Sequence, residues 1–111
     1  AWLAPVQARA MPVTDEINDY GEEVRARLRQ AGVRVELDSR SEKIGFKIRE
    51  AETQKIPYML VIGKKEREAG TVSLRLRGTG DQGAVPVEQA ARTILEDVPE
   101  ALRSQVRAIP G

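Results

Sequence analysis

Between Pro57 and Gly63 the chain runs Tyr58-Met59-Leu60-Val61-Ile62 without a polar residue. A run this short has no face to offer water. As a strand it must be covered on both sides, as in a parallel sheet under helices. The residues before it supply such neighbours. From Ala4 to Val13, Val6, Ala8 and Ala10 alternate with Gln7, Arg9 and Met11, which predicts a first strand ended by Pro12. Thr14 is placed to cap a helix, with Asp15 and Glu16 in the first turn, where carboxylates favour the helix dipole. Ile17, Tyr20, Val24, Leu28 and Ala31 then recur at helical spacing, and Gly32 closes the pattern. Val33, Val35 and Leu37 alternate with charged residues in a second strand. Ser41, with Glu42 behind it, predicts the cap of a second helix reaching about Gln54.

Downstream, Lys64 to Arg77 contains two alternating segments around Glu68-Ala69-Gly70, which predicts a hairpin. Gly78, Gly80 and Gly83 predict a flexible loop. A third helix opens at Pro86, buries Val87, Ala90, Ala91, Ile94 and Val98, and ends at Pro99. Two consecutive βαβ crossovers make three strands parallel, and the hairpin extends one edge antiparallel. The expected fold is therefore α/β: a mixed five-stranded sheet with three main helices on both faces. One domain, 1–99, accounts for it, and 100–111 is a tail with weak helical spacing at Leu102, Val106 and Ile109.

Composition removes most chemistry. The chain has 111 residues, no cysteine and no histidine. Disulfides, thiol nucleophiles, a Ser-His-Asp triad and zinc sites built on Cys or His are excluded. The turn after the first strand, Met11-Pro12-Val13-Thr14, has no glycine, so neither a dinucleotide fingerprint nor a Walker A loop is present. Acidic pairs such as Glu22/Glu23 and Glu66/Glu68 lack apolar surroundings. No cofactor and no metal is expected, and no apolar stretch approaches membrane-spanning length. With a net charge of +1, any surface for a polyanion must come from local segregation of charge. Arginines outnumber lysines 13 to 5, a bias that high-GC coding and planar hydrogen bonding to phosphates or bases would both produce.

Two stretches segregate usefully. In Ser41-Glu42-Lys43-Ile44-Gly45-Phe46-Lys47-Ile48-Arg49, the residues Ser41, Gly45 and Arg49 fall on one helical face. A mid-helix glycine costs roughly 1 kcal/mol against alanine. Either Gly45 lets the helix pack on a strand, or it lets a nucleic-acid strand approach. Further on, Val72, Leu74 and Leu76 form one strand face, and Thr71, Ser73, Arg75 and Arg77 the other. That polar face is either plain solvated sheet or a platform for single-stranded RNA. With only Trp2, Tyr20, Phe46 and Tyr58 as aromatics, hydrogen bonding rather than extensive stacking would read the bases.

The opening Trp2 to Gln7 (WLAPVQ), the block Asp38 to Glu52 (DSRSEKIGFKIREAE) and Lys55 to Glu66 (KIPYMLVIGKKE) closely resemble the C-terminal anticodon-binding domain of bacterial threonyl-tRNA synthetases. The resemblance covers about Ala1 to Val98. It implies the same five-stranded sheet and contact with the anticodon stem-loop of threonine tRNA. It also implies anticodon-binding roles for Arg49, Glu66 and Arg75, with Ser41 and Lys43 joining them at the helix start. Ser41 stands where the family commonly has asparagine, so it keeps a hydroxyl and loses an amide that pairs in two directions. A two-residue turn at Ala69-Gly70 would set Glu66 opposite Ser73 and diagonal to Arg75. A three-residue loop would turn it to the other face.

The family's zinc-bearing catalytic domain cannot lie in a chain without Cys and His. This chain is therefore expected to be non-catalytic, a monomer, cytoplasmic, and partnered by the catalytic domain of a parent synthetase. The alternative is a free-standing or accessory-subunit relative acting as a protein-interaction module. A flavodoxin-type ligand domain is disfavoured by the missing phosphate loop.

Overall fold

The computed structural model describes residues 6–96. Its strands are β1 (Ala8–Pro12), β2 (Val35–Leu37), β3 (Tyr58–Ile62), β4 (Thr71–Leu76) and β5 (Gly80–Pro86), and its helices are α1 (Asn18–Gln30), α2 (Ile44–Thr53), α3 (Lys64–Ala69) and α4 (Val87–Glu96). The strands form one sheet in the order β2-β1-β3-β4-β5. β1 runs parallel to β2 and β3, while β4 and β5 are antiparallel to their neighbours. The apolar run Tyr58–Ile62 is the central strand, as its lack of a polar face requires.

Alternation divides the core. Ala8, Ala10, Leu60, Ile62, Val72 and Leu74 pack against α1 and α4 through Val24, Leu28, Ala90 and Ile94. Met11 and Met59 point the other way, onto Ala51, Ile44 and Ile48 of α2 and onto Ile56. Gly21 is where α1 comes closest to the sheet: a Cβ there would lie 2.8 Å from Leu37 Cδ1 and 3.0 Å from Pro12 Cγ. α1 ends in a reverse pair of bonds, Gly32 N–H to Arg29 O and Val33 N–H to Leu28 O, which satisfies carbonyls that the helix cannot reach.

Several local expectations change. β1 begins at Ala8 rather than Ala4, and its first predicted residues, Ala4 and Pro5, lie outside the described residues. Thr14 caps a 3-10 turn, Asp15–Ile17, with no side-chain bond, and α1 starts only after it. Ser41 is not a helix cap either. Lys43 occupies that position, its carbonyl accepting from Phe46 and Lys47, while Ser41 donates its hydroxyl to Asp15 at 2.8 Å.

The hairpin lies elsewhere. Lys64–Ala69 is a helix, because its residues are strong helix formers bounded by an extended Gly63 and a left-handed Gly70 (φ 72°). The antiparallel partner of β4 is instead β5, built from the glycines expected to form a loop. Leu74 pairs with Gly83 and Arg75 with Asp81, so Gln82 is the extra residue of a bulge, which Gly83 accommodates at φ 94°. One strand is lost and one gained, and the five-stranded count stands. α4 opens after Pro86 as expected, but Val98, Pro99 and the tail lie outside the described residues.

Candidate nucleic-acid interface

Strand pairing fixes which polar residues share a face. Met59 belongs to the α2 side of the core and pairs with Arg75, and Val61 pairs with Ser73. Ser73 and Arg75 therefore stand on the α2 side of the sheet. α2 does not extend over β4 and β5, where Asp81, Gln82 and Ala84 are exposed. Its flanks are identified by contacts: Glu50 and Gln54 reach towards β2 through Arg40 and Arg9, so the opposite flank, which carries Glu52, faces β4. Residues seven apart lie within about 20° of one line along a helix, so Gly45 shares that flank with Glu52. Arg49, four residues from Gly45, borders the same stripe on its solvent side and is exposed. Arg49 and Arg75 thus rim a cleft between α2 and the uncovered half of the sheet.

Neither guanidinium head bonds another of the described residues. Among the described residues Arg49 makes no ion pair or side-chain hydrogen bond, and Arg75 Nε is buried without a partner. Arg29 and Arg34 are likewise exposed without a side-chain bond among the described residues, whereas others are committed. Arg9 bonds Glu36 and Gln54, Arg25 bonds Glu22, and Arg67 donates to Glu16 O and pairs with Asp19.

Glu66 differs from its expected placement. It sits in the first turn of α3, beyond the end of β3, with Oε1 accepting the Gly63 N–H at 2.7 Å. Glycine has no side chain to return that bond, so the cap is one-sided. The strand pairing with Ser73 and the diagonal to Arg75 do not exist, because helix formers occupy the segment read as a strand. Gly45 and Arg49 share a helical face, but Ser41 precedes the helix and cannot join it. Lys43, at the cap position, is exposed.

Three residues that hold the site were not singled out in the sequence. Lys47 is only 2% exposed, and its Nζ donates to Pro12 O at 2.9 Å and Asp38 O at 3.1 Å. It pins the start of α2 to the ends of β1 and β2. Burial holds its pKa below the ordinary value, partly offset by the nearby Asp38 carboxylate. Asp38 grips Arg40 with two bonds of 2.9 and 2.8 Å, and those bonds lower its own pKa. Arg40 also bonds Glu50 and lies 5.7 Å from the centre of the Phe46 ring. The signal for Lys47 was present: it falls within the buried stripe of Ile44, Ile48 and Ala51, where a charge needs a reason. Among the described residues no acidic cluster could hold a metal ion, and no helix is long and apolar enough to cross a membrane.

The family model for the anticodon binding domain matches residues 4–97. The chain belongs to that family. Within the anticodon-binding domains its relatives are specific. It is 52% identical over 97 residues to a threonine–tRNA ligase of Chlorobium phaeovibrioides, covering 87% of this chain and 15% of that protein. It is 56% identical over 97 residues to the same enzyme of Syntrophomonas wolfei, with the same coverage of both proteins. The chain therefore spans about 15% of the length of the curated relatives it matches. Among solved structures, the RNA binding domain of threonyl-tRNA synthetase from Cryptosporidium parvum superposes with a TM-score of 0.78 at 29% identity, covering 86% of this chain and 24% of that one. This anticodon-binding domain is thus of the threonyl type, as its WLAPVQ and EKIGFKIRE blocks imply.

Proposed function

We propose that this chain is the anticodon-recognition domain of a threonine–tRNA ligase, binding the anticodon loop of threonine tRNA while a catalytic domain outside this chain charges the acceptor end. The observation that carries this reading is the cleft rimmed by two uncommitted guanidinium groups, Arg49 and Arg75, on a threonyl-type domain. Arginine donors in a planar fork match base edges, and these two stand on the same side of the sheet, beside its uncovered half. Ser41 and Lys43 lie at the exposed start of α2, where the family resemblance implies a further polar contact. In this reading the chain works in the cytoplasm as a single copy joined to its catalytic domain.

The test is a titration of the chain with the threonine anticodon stem-loop and with one altered at the second anticodon base. Tighter binding of the first is expected, and equal binding of both would overturn the reading. Glu66 enters as an acceptor. With Oε1 on the Gly63 amide, Oε2 remains free to accept from a base N–H or amino group. Glu66→Gln keeps an oxygen for the cap, so its melting temperature should match wild type, while discrimination for the guanine-bearing anticodon falls more than affinity. Glu66→Ala also removes the cap and should cost about 1 kcal/mol of stability. An unchanged binding ratio in the glutamine variant would leave Glu66 as a cap alone.

A further inference from the structure

Three causes can place a glycine inside a helix: a backbone conformation that other residues resist, a neighbour too close for a Cβ, or a partner outside the chain. Gly45 is the second residue of α2 rather than the mid-helix residue expected, because the helix starts at Ile44, so its cost against alanine is smaller than in a helix interior. It is not among the residues with positive φ, so its conformation is open to any side chain. Nor is it crowded, since a Cβ built there meets nothing within 4 Å. The contrast with Gly21 is direct, where the same Cβ would collide with Leu37 and Pro12. No packing contact among the described residues therefore requires a glycine at position 45. Two of the three causes are gone, and the cost of the missing methyl is repaid by nothing within the described residues.

What remains is the cleft. Gly45 lies on the α2 flank opposite Glu50 and Gln54, which reach towards β2, and so faces β4, in line with Glu52 and beside Arg49. On the sheet side the cleft presents Ser73 and Arg75. We infer that Gly45 is a positioning residue, keeping the α2 wall flat so that one splayed anticodon base lies against the helix backbone within reach of the Arg49 guanidinium. This inference rests on the anticodon reading above. Single-stranded RNA is recognised through unstacked bases laid on flat surfaces and bonded at their edges. A glycine wall beside an uncommitted arginine offers both contacts, and even one methyl group would occupy the volume of the base.

Helix propensity and binding then pull in opposite directions, which makes the test decisive. Gly45→Ala and Gly45→Leu are compared with wild type by thermal melting and by titration with the threonine anticodon stem-loop. Alanine is expected to raise the melting temperature, because a better helix former enters open space. It is also expected to weaken binding by about fivefold to a hundredfold, the range for losing one good base contact. Leucine should bind more weakly still. Gly45→Ala at wild-type affinity would overturn the inference while leaving the anticodon reading intact. A loss of melting temperature and affinity together would overturn it too, by assigning the glycine to folding. Failure of the wild-type chain to discriminate between the two stem-loops would remove the anticodon reading, and this inference with it.

Discussion

Replacing Lys47 by methionine should destabilise the domain by about 2–4 kcal/mol, although methionine nearly matches its length and removes a buried charge. The ammonium group has no carboxylate of its own, because the Asp38 side chain is taken up by Arg40. It is held by two carbonyls, Pro12 O and Asp38 O. Methionine offers these oxygens no donor, and a buried acceptor deprived of its partner costs about 1–3 kcal/mol. Relief from desolving the charge offsets part of that loss. For a domain of this size the melting temperature should fall by roughly 10–20 °C. The pH dependence has a definite sign. Burial lowers the pKa of Lys47 from its ordinary 10.5, so the unfolded chain binds more protons between the two values and stability rises with pH through that window. The methionine variant lacks this rise. Tyr20 acts oppositely: burial raises its pKa, so its contribution is complete below the ordinary 10.0 and is lost as pH rises through the higher folded value. A Lys47→Met protein that melted with wild type would show that apolar packing replaces the latch.

Lys47 also illustrates what the sequence revealed and what it concealed. The α2 stripe of Ile44, Ile48 and Ala51 was readable from spacing, and β3 from its unbroken apolar run. The carbonyls that hold Lys47 come from residues 35 and 9 positions away, and no local pattern reports them. α3 was missed because a helix of 6 residues with none buried has no apolar period to display. Its true signals were the bounding glycines and the acid in its first turn. β5 was missed for the opposite reason: its glycines resist a strand in isolation, and pairing with β4 outweighs that preference. The site followed the same division. The faces on which Arg49 and Arg75 stand were legible because each falls on the polar side of a clear period. Glu66, which the family resemblance singled out, was placed by turn arithmetic in a hairpin that does not exist, and it stands instead in the first turn of α3. That α2 stops short of β4 and leaves a cleft is a property of tertiary packing alone.

Arg49→Ala should weaken binding of the threonine anticodon stem-loop by about 1–3 kcal/mol and reduce discrimination against an altered second or third anticodon base. The wild-type side chain is exposed and uncommitted, so truncation breaks nothing within the protein and the stability should stay within about 0.5 kcal/mol of wild type. Arg25→Ala is the matched control. It removes the same charge from α1, which packs on the opposite face of the sheet, where Arg25 is already paired with Glu22. Its effect on either stem-loop should be near zero, since an exposed ion pair contributes little and α1 does not border the cleft. The two variants carry the same net charge, so any difference between them is a matter of place rather than of long-range field. Salt separates the terms further. A chain of net charge +1 engages few phosphates, so the logarithm of affinity should fall only gently with the logarithm of salt concentration. If Arg49 reads a base edge, Arg49→Ala lowers affinity at every salt concentration and leaves that slope nearly unchanged. If it meets a phosphate, the slope itself drops by about one unit while discrimination survives. Equal losses from Arg49→Ala and Arg25→Ala would reduce the interaction to diffuse charge and remove Arg49 from the site.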